Sequence, residues 1–171
     1  MVISEWIDKF HLINDIDMQI EILKADFKDL ADIFKLQKEC YITEAEIYNE
    51  FNIPPLLQDL KSLESEFENC TILKVVVDGE IIGSVRAFID HDTAYIGKLI
   101  VKPDFQNNGI GKLLLNSIES TLCECKRYEL YTGFKSQKNL YIYNQLGYKE
   151  FKQQIISNDL KIIYLEKVNM R

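Results

Sequence analysis

Glycine and proline are scarce, 7 and 3 in 171 residues, which excludes collagen-like and Pro/Gly low-complexity chains. No apolar run approaches the ~18 residues that a membrane-spanning helix requires, so no membrane partner is expected. There are only two histidines, His11 and His91, and four widely spread cysteines, Cys40, Cys70, Cys123 and Cys125. No two cysteine pairs have zinc spacing and both histidines lie far from them, so no metal is expected. Cys123 and Cys125 fall two apart on an expected helix, where their side chains diverge. All four read as free thiols in a reducing compartment. Positive charge is also short: 20 Lys and Arg against 27 Asp and Glu, a net charge of −7. That balance argues against nucleic acid as a partner. It suits solubility and, less strongly, a cationic substrate. The first ten residues carry Glu5 and Asp8 where a signal peptide would be basic and then apolar, so the expected location is cytoplasmic.

What the chain does have is 47% hydrophobic residues, enough for one domain with its own core. Residues 1–17 form an extension in which Ile3, Trp6, Ile7, Phe10 and Ile13 recur at helical spacing, and the domain proper spans 18–171. Ile20 and Ile22 alternate as in a strand over 19–24. Asp26 is a helix N-cap, followed by Leu30, Ile33, Phe34 and Gln37 on a helix running into the low forties. Residues 43–53 read as a polar and aromatic connection, and Pro54-Pro55 opens a second helix through Leu56, Leu60, Leu63 and Phe67. Three antiparallel strands follow at 71–77, 81–90 and 93–102, the first two joined by Asp78-Gly79. A helix begins after Asn107-Asn108-Gly109 and buries Ile110, Leu113, Leu114, Ile118 and Leu122. Then come a strand at 127–132, a helix at 136–146 ended by Gly147, and a hairpin of 148–156 and 160–167. The expected class is α/β (α+β), a mostly antiparallel central sheet flanked by helices, in the order β-α-α-β-β-β-α-β-α-β-β.

The most informative segment runs from Leu99-Ile100-Val101 through Pro103 to Gln106-Asn107-Asn108-Gly109-Ile110-Gly111-Lys112. A hydrophobic strand stops at a proline, and two glycines one residue apart open a helix. A helix start offers unpaired N–H groups and partial positive charge, which suits an anion. Gly109 and Gly111 let a diphosphate approach the backbone, and Lys112 adds charge. The segment is neither a Walker A loop nor a complete Gly-x-Gly-x-x-Gly, because Leu114 holds the third glycine position. Taken alone, two glycines at a helix start are more often a turn.

With its context, Gln106-x-x-Gly109-x-Gly111 resembles the acetyl-CoA diphosphate loop of the GNAT superfamily of N-acetyltransferases. Asn139-x-x-x-Tyr143-x-x-x-Gly147-Tyr148 resembles a second segment of that superfamily, in the right order downstream. The resemblance covers roughly residues 19–168. It implies that Gln106, Asn107, Asn108, Gly109, Ile110, Gly111 and Lys112 hold the diphosphate. It implies that the backbone of Leu99, Ile100 and Val101 pairs with the pantetheine arm, and that Asn139 hydrogen-bonds the cofactor. Tyr143 stands where the superfamily places its general acid. An amine acceptor, small molecule or peptide, and at family level a homodimer, are implied as well.

Acetyl transfer needs a neutral amine, a polarised thioester and a proton for the leaving thiolate. Many family members carry a glutamate on the strand before the loop, but Tyr95-Ile96-Gly97-Lys98 holds no carboxylate. Glu44, Glu46 and Asp92 are the candidate bases, although each reads first as solvated surface charge. Tyr48, Phe51, Tyr95 and Tyr131 are candidates for an acceptor pocket, against an ordinary reading as core. His91, in a turn between two aspartates, is assigned no role. The expected activity is acetyl-CoA-dependent N-acetyl transfer. The alternative is a non-catalytic acyl-CoA-binding or sensing module, for which the missing strand carboxylate leaves room. A nucleotide phosphate site is disfavoured because Leu113, not Ser or Thr, follows Lys112.

Overall fold

A computed structural model describes residues 20–157 and 160–170. The extension at 1–17 lies outside the described residues. Strand β1 spans Ile20–Lys24. After it the Asp26 amide donates to Asp29 Oδ2 at 2.7 Å, and a short 3-10 turn at Phe27–Asp29 leads into helix α1, Leu30–Tyr48.

Helix α1 overruns the expected stop in the low forties, so Glu44 and Glu46 lie on a helix and not in a connection. The buried stripe continues through Gln37, Tyr41, Ala45 and Tyr48 at near four-residue spacing, but its members are polar, aromatic or small. The helix ends at Asn49, whose left-handed backbone (φ 49°) lets its amide return to the Ala45 carbonyl. The expected second helix is two helices, α2 at Pro54–Leu57 and α3 at Leu60–Phe67. Asp59 breaks it by capping the new start, its carboxylate accepting from the Ser62 amide at 2.8 Å.

Strands β2 (Thr71–Val77), β3 (Glu80–Asp90) and β4 (Thr93–Val101) form the expected meander. A 3-10 turn at Pro103–Phe105 precedes helix α4, Ile110–Thr121. Cys123 and Cys125 lie beyond the end of that helix, not on it, and all four cysteines are free. The chain then forms β5 (Arg127–Gly133), α5 (Gln137–Gln145), β6 (Lys149–Ile155) and β7 (Lys161–Val168).

The seven strands make one sheet in the order β1-β2-β3-β4-β5-β7-β6. Every neighbouring pair is antiparallel except β4 and β5. Consecutive residues Ile72 and Leu73 feed different cores, as the two-residue strand period requires. Ile72 packs with Leu30 and Ile33 of α1 and Leu63 of α3. Leu73 belongs to the larger core, with Leu114, Leu115 and Ile118 of α4 and Tyr143 of α5. Under α1, Lys74 Nζ meets Asp29 Oδ2 at 2.6 Å with both side chains only 10% exposed. Burial opposes the Asp29 charge, but Lys74 and the Asp26 amide outweigh it and hold the carboxyl below its usual range.

Candidate active site

The sheet opens at its centre. Strand β4 pairs with β5 only through Thr93–Tyr95 against Arg127–Glu129. Beyond Tyr95 the two strands part and leave a wedge. The cause is local. Against β3, Ser84 faces Ile100 while Arg86 faces Gly97, so β4 carries one residue more than its partner. Lys98 takes up the excess with a left-handed backbone, φ 50°, and such a bulge bends its strand.

The Lys102 amide donates back into the sheet, to the Ile82 carbonyl at 2.8 Å. By alternation, the backbone groups of Val101 face the wedge. The Val101 carbonyl there accepts from Gln106 Nε2 at 3.0 Å and from Cys40 Sγ at 3.4 Å. Gln106 is thus a brace that folds the loop back on the strand end.

After Gln106 the chain turns through Asn107 (φ 65°) and Gly109 (φ 80°), both left-handed. Asn108 Nδ2 reaches the Phe105 carbonyl at 3.4 Å. Gly109 is the N-cap of α4 and has no side chain to cap with. The first-turn amides of Ile110, Gly111 and Lys112 therefore lack the usual side-chain acceptor. Buried Ile110, Leu114, Leu115 and Ile118 hold that helix end in place. A Cβ at Gly111 would meet nothing closer than Ile142 Cδ1 at 3.7 Å. The protein interior does not demand glycine there, so the bare surface is left for something outside it. Lys112 Nζ rests 5.8 Å above the Tyr141 ring.

Tyr143 stands on α5, 5% exposed, with its ring 6.1 Å from that of Tyr148. Burial, reinforced by Glu44 and Tyr131, holds its pKa well above the ordinary tyrosine value. No fully buried polar side-chain atom among the described residues lacks a hydrogen bond, so the Tyr143 hydroxyl, which has no such partner, keeps some accessible surface. Tyr41 of α1 lies in the same group. Its pKa is raised by burial and then by Tyr143, Tyr131 and Glu44.

Glu44 is not a free base: one oxygen accepts from Ser136 Oγ at 2.7 Å and the other from Asn139 Nδ2 at 3.4 Å. Asn139, one turn before Tyr143, also approaches Thr132 Oγ1 at 3.4 Å. Tyr48 is a clasp and not a pocket wall, its hydroxyl accepting from the Lys135 amide at 2.6 Å. A Cβ at Gly133 would overlap that hydroxyl at 2.2 Å, so only glycine fits beneath it. Tyr95 stacks on Phe88 at 4.9 Å, and Tyr131 lies 5.7 Å from Tyr164. Phe51 and Glu46 are exposed. Asp92 pairs with Lys126 at 2.6 Å in the turn before β4, and exposed His91 lies 3.8 Å from Asp90. Neither belongs to the wedge.

Sequence reasoning missed the polar assembly on the α1 face of the wedge. Buried Arg86 of β3 bonds both Glu66 and Gln37. Gln37 Nε2 also donates to the Pro55 carbonyl and to Gln58 Oε1, each at 2.9 Å. Lys38 Nζ is satisfied by the carbonyls of α2 and its end, including Leu56 and Gln58 at 2.5 Å each. These bonds tie α1, α2 and α3 to the sheet. Beside them lies a cavity of about 410 Å³ lined by Pro54, Leu57, Gln58, Ser62, Glu66 and Lys98. Only the helical register of Gln37, extended to Tyr41 and Ala45, hinted at it.

An open wedge between two parallel strands thus lies beside an uncapped helix start. Accordingly, the family model described as the acetyltransferase (GNAT) family matches residues 30–148. The chain belongs to that family. Among curated proteins it is similar to UPF0157 protein YqkA of Bacillus subtilis (strain 168), 26% identical over 132 residues. That match covers 77% of this chain but 38% of the relative, so the chain spans about two-fifths of that protein's length. Its fold is similar to that of the ribosomal-protein-S18-alanine N-acetyltransferase from Escherichia coli, with TM-score 0.74 and 16% identity, covering 90% of this chain and 96% of that one. It is also similar to PaiA N-acetyltransferase from Thermoplasma acidophilum in complex with coenzyme A, with TM-score 0.72 and 20% identity, covering 88% and 99%.

Proposed function

We propose that this protein is an acetyl-CoA-dependent N-acetyltransferase that acetylates a primary amine of a small molecule, peptide or protein by direct attack. One observation carries the reading: the β4–β5 wedge opens directly beside the bare start of α4.

The residues fit the co-substrate. Gly109 supplies the left-handed turn that exposes the first-turn amides, and Gly111 leaves the surface flat. Gln106, Asn107, Asn108, Ile110 and Lys112 complete a cradle for a diphosphate. The edge of β4 would receive the amides of the pantetheine arm through the backbone of Leu99 and Val101, while Ile100 between them turns its backbone groups to β3. At Val101 that role falls to the N–H, because the carbonyl already accepts two bonds. Asn139 stands at the rim, held by Glu44 and Thr132. When bound, acetyl-CoA supplies an activated acyl group as a thioester.

Tyr143 keeps its proton at any working pH, because burial raises its pKa. It is therefore a donor and never a base. The same buried setting makes a thiolate formed beside it more basic and so offsets the weaker acidity of the buried phenol. With both Glu44 oxygens engaged, the proton of the incoming ammonium (ordinary pKa ~10.4) leaves to solvent through the open wedge. Glu44 acts as a positioning residue for Ser136 and Asn139.

The test is thiol release from acetyl-CoA across a panel of amines, beside equilibrium binding of CoA. Turnover with at least one amine, lost in Gly109→Glu together with CoA binding, is expected. Tight CoA binding with no turnover across the panel would instead favour the acyl-CoA-sensing module.

A further inference from the structure

Lys98 is out of place by every local rule. It sits at the bulge of β4 in a left-handed backbone, a conformation that lysine rarely adopts. It is half-buried, yet among the described residues its Nζ makes no ion pair and no hydrogen bond. Its one recorded contact is the face of the Tyr41 ring, 5.5 Å away. The carboxylate that faces it is already engaged: Glu66 takes Arg86 on one oxygen and Gln58 Nε2 on the other, at 2.7 Å. The charged and titratable groups facing Lys98 are Arg86 from β3, Glu66 from α3, and Lys38 and Tyr41 from α1. Burial first, then Arg86 and Lys38, push the ammonium pKa down to about 8 against the pull of Glu66. A cation is thus held without a counter-ion where the surroundings are already positive, in a chain of net charge −7.

Lys98 also projects into the cavity of about 410 Å³ beneath α2 and α3. Its walls are apolar at Pro54 and Leu57, polar at Gln58 and Ser62, and acidic at Glu66, whose oxygens already take Arg86 and Gln58. Leu99, the next residue, faces the other side of the sheet, toward Gly111 at the start of α4. The bulge therefore places the unpaired cation and the open strand edge within one residue of each other.

We infer that Lys98 anchors a carboxylate of the acceptor, so that the preferred substrate is an amine that also bears a carboxylate, such as an amino acid, and not a polyamine. This rests on the N-acetyltransferase reading above. An incoming carboxylate supplies the missing counter-ion to a half-buried ammonium at the floor of an open recess, where a charge-assisted hydrogen bond is stronger than a neutral one. A second cation in the same place would meet Lys98 and Arg86 with only an already saturated Glu66 to offset them.

The test compares matched acceptors of two to five carbons that differ only at the far end: alkylamine, ω-amino acid, ω-aminophosphonate and α,ω-diamine. At the best length, kcat/KM should favour the amino acid over both alkylamine and diamine by at least about tenfold. In Lys98→Met the difference should collapse, and in Lys98→Glu it should reverse toward the diamine. A wild-type preference for the alkylamine or diamine overturns the inference, as does an amino-acid preference that survives Lys98→Met. A phosphonate preferred over the carboxylate overturns the choice of carboxylate. A second readout needs no turnover: ¹³C-lysine-labelled protein titrated with 4-acetamidobutanoate. Its carboxylate should raise the Lys98 pKa from about 8 by at least one unit. An unmoved Lys98 sinks the inference even if acetyl transfer is intact. A moved Lys98 with no transfer to any amine sinks the N-acetyltransferase reading and leaves the anion site standing.

Discussion

The two sides of the wedge are built from different materials. On the α4 side the working surface is backbone: two left-handed residues, an uncapped helix start and a glycine that nothing in the interior requires. On the α1 side it is side chain, with Gln37, Arg86, Glu66 and Gln58 linked into one network around Lys98. The backbone side is generic and fits a group shared by many substrates. The side-chain side is particular, and changing one member alters what all the others can do. The proposed acetyl transfer would need both, a constant grip on the donor and an adjustable grip on the acceptor.

Substitutions should separate the two sides. The largest effect is expected from Gly109→Glu, which adds a negative charge and a strained Cβ where the diphosphate would rest. CoA affinity should fall by about 100-fold or more, a loss of at least roughly 2.7 kcal/mol in calorimetric titration. The left-handed Cβ should also cost about 1–2 kcal/mol of fold stability, so the loss of affinity is read on protein that circular dichroism shows to be folded. Next comes Tyr143→Phe. The turnover number should drop by about 100-fold, as expected for the loss of a general acid, with CoA affinity nearly intact. Unaltered turnover would remove Tyr143 from the chemistry.

On the other side, Gln37→Leu should cost roughly 1–3 kcal/mol in chemical denaturation, because it removes one of the two partners of the buried Arg86 guanidinium and leaves the Pro55 carbonyl only Lys38 Nζ at 3.4 Å. CoA affinity should hardly move. If it falls in parallel, the two sides are coupled and the division drawn above is wrong. The smallest effect concerns acid. The native Asp29 pKa lies below its unfolded value, so the Asp29–Lys74 pair stabilises the fold above the ordinary carboxylate range and is lost as pH falls through the native pKa. Asp29→Asn should be less stable than wild type at neutral pH, and the two should converge on acidification toward pH 2.

The same division explains what could be read in the sequence. Strand positions, the α4 start and the Asn139–Tyr143 turn were legible because glycine, proline and hydrophobic period are local signals. The end of α1 was not, since its buried stripe continues through Gln37, Tyr41 and Ala45, which no hydrophobic count records as a helix face. The split between α2 and α3 hangs on Asp59 alone. Lys98 was legible only as a missing carboxylate. Its isolation comes from Glu66 being claimed by Arg86 and Gln58, partners 20 and 8 residues away in the chain. Nothing local marks Tyr48 as the reason for Gly133, since 85 residues separate the two in the numbering.

The left-handed backbone at position 98 has an evolutionary consequence. Asparagine, aspartate and glycine tolerate that conformation better than lysine does. Exchanging the cation there for a neutral or negative group would relax the strand without disturbing its register. If Lys98 anchors the acceptor as inferred, acceptor charge preference can drift at this one codon while the start of α4 and the fold stay fixed.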